Sequence, residues 1–211
     1  MISKEDYLKD PCGTLSIPFY KAKKIKVPEN MKIINGKNLK CGKLSFNRHE
    51  YIEELYFRLM HRFENLIEIK IPDDFYLAEI KTDELYNHIN SCYENTHISL
   101  KDLNELIKSE VFDEELIVVL KSIETDEVAA SGIAVIDKEL KEGVLEWIQV
   151  SEKYRRMGFG AFIVNYLLNK MAGKADFATV SGKVQNKYNP ENLYRKCGFE
   201  GDDVWHILRR K

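Results

Sequence analysis

The sequence predicts an α/β (α+β) fold, and three observations carry that prediction. From residue 73 onward, apolar positions switch repeatedly between period two and period 3.6, in the order β-α-α-β-β-β-α-β. Short polar turns, Glu124-Thr125-Asp126-Glu127 and Lys141-Glu142-Gly143, separate successive apolar runs. The chain has 211 residues, 44% hydrophobic and 31% charged, enough to bury a sizeable core as one compact unit or two small ones.

The first 45 residues hold three of the five prolines (Pro11, Pro18, Pro28) and the turn signals Asn35-Gly36 and Cys41-Gly42. They read as an irregular wrapping segment. Its basic run, residues 21–26, reads as a solvated edge. Next, Tyr51, Ile52, Leu55, Tyr56, Leu59, Met60 and Phe63 recur at three- and four-residue spacing. That spacing predicts an amphipathic helix opened by an Asn47/Glu50 capping box. Nothing else in residues 1–72 covers its apolar stripe, so residues 1–72 are expected to be an extension whose helix packs on a main domain, residues 73–211.

In that domain a strand is predicted over 75–80, a helix over 83–93, and a second helix over 99–109 with Ser99 and Asp102 in capping positions. Strands follow over 116–120, 128–136 and 144–150, then a helix over 158–171 and a strand over 177–184. A short helix runs from Asn189-Pro190 to Gly198, and a strand over 204–208 closes the chain.

Composition excludes several classes of function. With 32 Lys+Arg against 34 Asp+Glu, the net charge of −2 gives no overall field for a phosphate polymer, so a nucleic-acid partner is not expected. Residues 1–72 carry 14 basic and 9 acidic side chains, and the remainder 18 and 25. No apolar run is long enough for a membrane span and the opening residues are not of signal-peptide type, so a cytoplasmic protein is expected. Cys12, Cys41, Cys92 and Cys197 lack paired spacing and read as reduced thiols, and no metal site is expected among these and the five scattered histidines.

The informative stretch is a strand ending at Ile148-Gln149-Val150, then Arg155-Arg156-Met157-Gly158-Phe159-Gly160-Ala161 opening a helix. Such a turn leaves backbone N–H groups unpaired at the positive end of the helix dipole, where phosphate binds. Two glycines permit close approach, and two arginines add charge for a second phosphate. The dinucleotide fingerprint GxGxxG fails because its third glycine would fall at Ile163, and a P-loop fails because Gly173-Lys174 is followed by Ala175.

The spacing Arg155-x-x-Gly158-x-Gly160 resembles the acetyl-CoA signature of the GNAT superfamily of N-acetyltransferases. Leu193-Tyr194-Arg195-Lys196-Cys197-Gly198-Phe199 resembles that family's later LYxxxGF motif. The resemblance covers residues 73–211. It implies a mixed, mostly antiparallel central sheet with helices on both faces, splayed between strands 144–150 and 177–184. It also implies that residues 155–161 wrap the CoA pyrophosphate through backbone N–H groups. Residues 148–150 would lie along the pantetheine arm, with an N–H near Ile148 or Val150 on the acetyl carbonyl. The family's usual asparagine is replaced by Lys187, with Asn186 and Asn189 on either side. Asn189 is the better helix cap, which makes Asn186 the preferred pantetheine contact.

Transfer to an amine needs a neutral nitrogen, and a lysine-like amine at pH 7 is neutral only about once in 2,500, a handicap near 4.6 kcal/mol. Glu146 is the candidate base, because strand alternation puts Glu146, Ile148 and Val150 on one face, with Trp147 opposite in the core. Tyr194 is the candidate acid for the departing CoA thiolate, as its counterpart is in many members of the family. Cys197 reads as a small buried thiol. The expected partners are acetyl-CoA and an amine acceptor, small molecule or peptide, with direct transfer in a ternary complex of a monomer or homodimer. The competing reading is a non-catalytic acyl-CoA-binding sensor or interaction module of the same fold.

Overall fold

The computed structural model describes residues 2–94 and 96–211 and divides into two compact units, Met1–His61 with Thr179–Lys211, and Arg62–Ala178. The division falls at His61/Arg62, and the C-terminal segment belongs to the first unit.

The first unit opens with α1 (Lys4–Lys9), α2 (Pro11–Thr14), α3 (Phe19–Ala22), β1 (Met31–Asn35), α4 (Gly36–Lys40) and β2 (Tyr51–His61). The second contains β3 (Phe75–Leu77), α5 (Thr82–Cys92), α6 (Leu100–Ile107), β4 (Phe112–Ser122), β5 (Val128–Asp137), β6 (Glu142–Val150), a 3₁₀ turn (Glu152–Tyr154) and α7 (Phe159–Met171). The chain re-enters the first unit within β7 (Phe177–Lys183) and ends with α8 (Pro190–Lys196) and β8 (Glu200–Arg210).

Two expectations are corrected here. The segment read as an amphipathic helix is β2, an eleven-residue strand paired antiparallel with β8 from Tyr51↔Arg210 to Met60↔Glu200. Its sequence YIEELYFRLMH is apolar at both helical and strand spacing, and pairing with β8 decides between them. The Asn47/Glu50 pair closes a turn instead, Asn47 Nδ2 donating to the Glu50 carboxylate at 2.9 Å. The first 45 residues are also more regular than expected, with four short helices and β1, which pairs antiparallel with the other edge of β8. Strand order in this unit is β1-β8-β2-β7, so the last strand lies between two early ones.

In the second unit the order is β3-β4-β5-β6, each neighbour antiparallel. Helices cover both faces of this sheet. On one, Ile133 of β5 packs with Leu85 and Ile89 of α5, and with Ile98 and Leu103. On the other α7 lies so close that a Cβ on Gly132 would stand 2.4 Å from Ile163 Cγ2. The capping pair predicted for α6 forms, Ser99 Oγ accepting from Asp102 N at 3.0 Å. The mixed, mostly antiparallel α+β architecture implied by the sequence is therefore the one observed.

Candidate active site

The turn between β6 and α7 is pinned at both ends by aromatic packing. Tyr154 before it and Phe159 after it are buried, and their rings lie 5.8 and 4.5 Å from that of Phe75. Between them Arg156 (φ 67°) and Gly158 (φ 87°) are both left-handed, a conformation that turns successive N–H groups into an anion-binding concavity. A Cβ on Gly158 would meet nothing within 4 Å, so its φ, not crowding, asks for glycine there.

Hydrogen bonding in α7 begins with Phe162 N–H donating to Gly158 O at 3.0 Å. The N–H groups of Phe159, Gly160 and Ala161 therefore have no acceptor within the helix. Together with the positive end of the helix dipole they suit a diphosphate. Arg156, Met157 and Gly158 are exposed on the turn.

Arg155 departs from the expected use of its side chain. Its Nε donates to Val150 O at 3.3 Å and its Nη2 to Cys92 O at 3.2 Å, so the guanidinium braces the end of β6 against the end of α5. Arg156 is the arginine left exposed on the turn.

The strand leading into the turn is not regular. Ile133 of β5 faces Trp147, but the next residue, Ala134, faces Leu145, so Glu146 is the extra residue of a β-bulge. The alternation used to group Glu146 with Ile148 and Val150 does not run through that position, and the face of Glu146 is set by the bulge. Glu146 is half-buried. Trp147 does pack on the α5–α6 core, its ring edge-on to Tyr93 at 5.8 Å. The Ile148 carbonyl accepts from the Tyr93 hydroxyl at 2.8 Å, and burial pushes the Tyr93 hydroxyl well above its usual pKa. Gln149 is buried, and its Nε2 donates to Ser131 Oγ. The Gln149 side chain is thus engaged inside the sheet, not turned to a ligand.

The other candidates belong to the first unit. Asn189 caps α8, its Oδ1 accepting from Asn192 N at 3.4 Å, which is the role the sequence favours for it. Asn186 Oδ1 accepts from Tyr188 N at 2.9 Å and so shapes the preceding loop. Tyr194 is buried, its ring 6.1 Å from Phe57 and 5.8 Å from Phe199. Cys197 is a buried thiol, and Gly198 (φ 88°) ends α8 in the left-handed conformation.

Two polar residues near this strand were not singled out from sequence, His88 of α5 and Tyr93 just after it. The signal for His88 is its place on the apolar stripe Leu85, Ile89, Cys92, where a histidine must find buried partners. Among the described residues no group of three His, Cys, Asp or Glu could hold a metal, and no helix is long and apolar enough to cross a membrane.

A left-handed turn feeding a helix N-terminus, on an α+β sheet, is a shape that suits a phosphorylated ligand. Residues 82–199 match the model of the acetyltransferase (GNAT) family, so the chain belongs to that family. Comparison with curated proteins gives no match. Among solved structures it resembles a GCN5-related N-acetyltransferase from Sphaerobacter thermophilus, at 11% identity and TM-score 0.65 over 90% of this chain and 63% of that one. A GCN5-related N-acetyltransferase from Kribbella flavida matches at 13% and 0.53 over 85% and 67%. A functionally unknown conserved protein from Staphylococcus epidermidis matches at 13% and 0.55 over 100% and 82%. The chain thus spans less than two thirds of the Sphaerobacter protein, and at such identities the likeness is one of fold.

Proposed function

We propose that this protein is a cytoplasmic N-acetyltransferase that moves the acetyl group of acetyl-CoA to a primary amine by direct transfer. The observation that carries the reading is the turn at residues 155–161, which joins two left-handed residues to three helix-start N–H groups that have no acceptor within the helix. Family membership supports acetyl-CoA as the carrier.

In this reading the pyrophosphate sits on the N–H groups of residues 155–161, with Arg156 adding charge. The backbone of residues 148–150 follows the pantetheine, and Asn186 is its second contact. A strand N–H at Ile148 or Val150 accepts the charge that develops on the thioester oxygen. The amine nitrogen attacks the carbonyl carbon, the C–N bond forms, and the C–S bond breaks. Glu146, directly or through a water, takes the ammonium proton before attack; Tyr194 gives its proton to the departing CoA sulfur and is restored by the surplus proton that the new amide nitrogen releases through water.

The bulge is what suits Glu146 to this role, because a residue outside the ladder alternation aims its side chain where the regular strand does not. The test follows free CoA released from acetyl-CoA in the presence of polyamines, aminoglycosides, amino acids or peptides. Glu146→Gln is expected to lower kcat about 10²- to 10⁴-fold at pH 7. Binding of acetyl-CoA with no release for any amine would favour the sensor reading.

A further inference from the structure

The C-terminal turn of α5 is joined to the end of β6 at three successive places. Tyr93 holds Ile148 O at 2.8 Å, and Arg155 bridges Val150 O to Cys92 O. Between them His88, 7% exposed, places Nδ1 2.8 Å from Ser131 Oγ and Nε2 2.9 Å from Ser151 Oγ.

The two hydroxyls determine where the protons lie. Ser151 has one hydroxyl proton and gives it to Val128 O at 2.6 Å, so toward His88 it can only accept. The ring therefore carries its proton on Nε2, and Nδ1 is the acceptor for Ser131. Ser131 Oγ in turn accepts from Gln149 Nε2. The chain runs Gln149 → Ser131 → His88 → Ser151 → Val128, each hydroxyl donating once and accepting once. A charged imidazole would turn a second N–H on Ser131 and break that order. Cys92 Sγ borders the ring at 3.5 Å, and burial raises its thiol pKa so that it stays uncharged beside the imidazole.

We propose that His88 is a positioning residue for the acyl-CoA socket: its neutral imidazole ties Ser151, where β6 gives way to the turn, to the buried polar side chains of β5 and β6. This rests on the reading of that turn as a CoA site. The two ends of the ring then differ in consequence. The Nε2 end fixes Ser151 and the turn beyond it, whereas the Nδ1 end only orders the interior of the sheet.

The experiment titrates acetyl-CoA into the full chain by calorimetry, with thermal unfolding measured on each variant. His88→Gln keeps an N–H donor where Nε2 stood. His88→Asn keeps an acceptor where Nδ1 stood but does not reach Ser151. The Gln variant is expected to bind within about threefold of wild type and the Asn variant about tenfold more weakly, although both lose stability. Ser151→Ala removes the same link without touching the ring and is expected to repeat the Asn loss. Equal losses in the Gln and Asn variants that follow their melting temperatures, or unchanged affinity in Ser151→Ala, would overturn the role of His88 alone. A wild-type protein that does not bind acetyl-CoA would overturn the CoA reading and this role with it.

Discussion

Burial of His88 costs its charged form more than the neighbouring Glu84 carboxylate returns, so its pKa is pushed down to about 4 from 6.5. The groups around it set that balance. Glu84 and Cys92 share its helix, Lys121 of β4 engages Glu84 at 2.8 Å, and Ser131, Gln149 and Ser151 face it from β5 and the end of β6, with Arg155 on the Cys92 carbonyl. Between pH 6.5 and about 4 the unfolded chain binds a proton that the folded chain refuses. Stability from this group is therefore intact above pH 6.5 and falls as the pH drops to about 4, by about 3 kcal/mol. Denaturant unfolding of wild type and His88→Gln across that window is expected to give the steeper decline in wild type. Parallel declines would show that His88 remains protonatable in the fold.

At the scale of elements, the proposed CoA site depends on how α7 is seated, because the first turn of α7 is part of it. At Gly132 the seat is tight, a Cβ there meeting Ile163, Leu167 and Ile148 at 2.4, 3.0 and 3.1 Å. Gly132→Val must push α7 off the strand, an overpacking that costs about 1–3 kcal/mol. The helix start moves with it, so weaker acetyl-CoA binding is expected alongside the lower denaturation midpoint, and full affinity in a destabilised Gly132→Val would show the turn to be independent of that seat. The elements of this unit were legible in the sequence because their signals are local. Ser99 and Asp102 cap α6, the 124–127 turn joins β4 to β5, and Gly158 opens α7. The strand at 51–61 was not, since its decisive partner lies about 150 residues away in β8. The bulge at Glu146 was not legible for the same reason, being a mismatch between two strands and not a property of either. In the site, the turn at 155–161 could be read from two glycines and a strand, whereas the use of Arg155 as a brace needed the position of the Cys92 carbonyl.

At the scale of the whole chain, both termini are built into one sheet. β8 is paired along one edge with β1, from Met31↔Arg209 to Asn35↔Trp205, and along the other with β2. Side chains reinforce those ladders: Asn35 and Lys37 hold the buried Asp203 at 2.8 and 3.1 Å, and Trp205 Nε1 donates to Cys12 O at 2.8 Å. Phe57, Leu59 and Leu208 are almost fully buried on the strands involved. A fragment of residues 73–211 would therefore keep an eleven-residue β8 with both edges unpaired and its apolar side chains exposed, the arrangement that leads to edge-to-edge aggregation. Such a fragment is expected to be recovered as aggregate, and co-expression with residues 1–72 to restore a soluble complex, because the missing strands pair without a covalent link. Size-exclusion chromatography with the melting temperature checks this. A monomeric 73–211 fragment that melts as cooperatively as the full chain would show that residues 1–72 are dispensable wrapping and that β8 is stable without either neighbour.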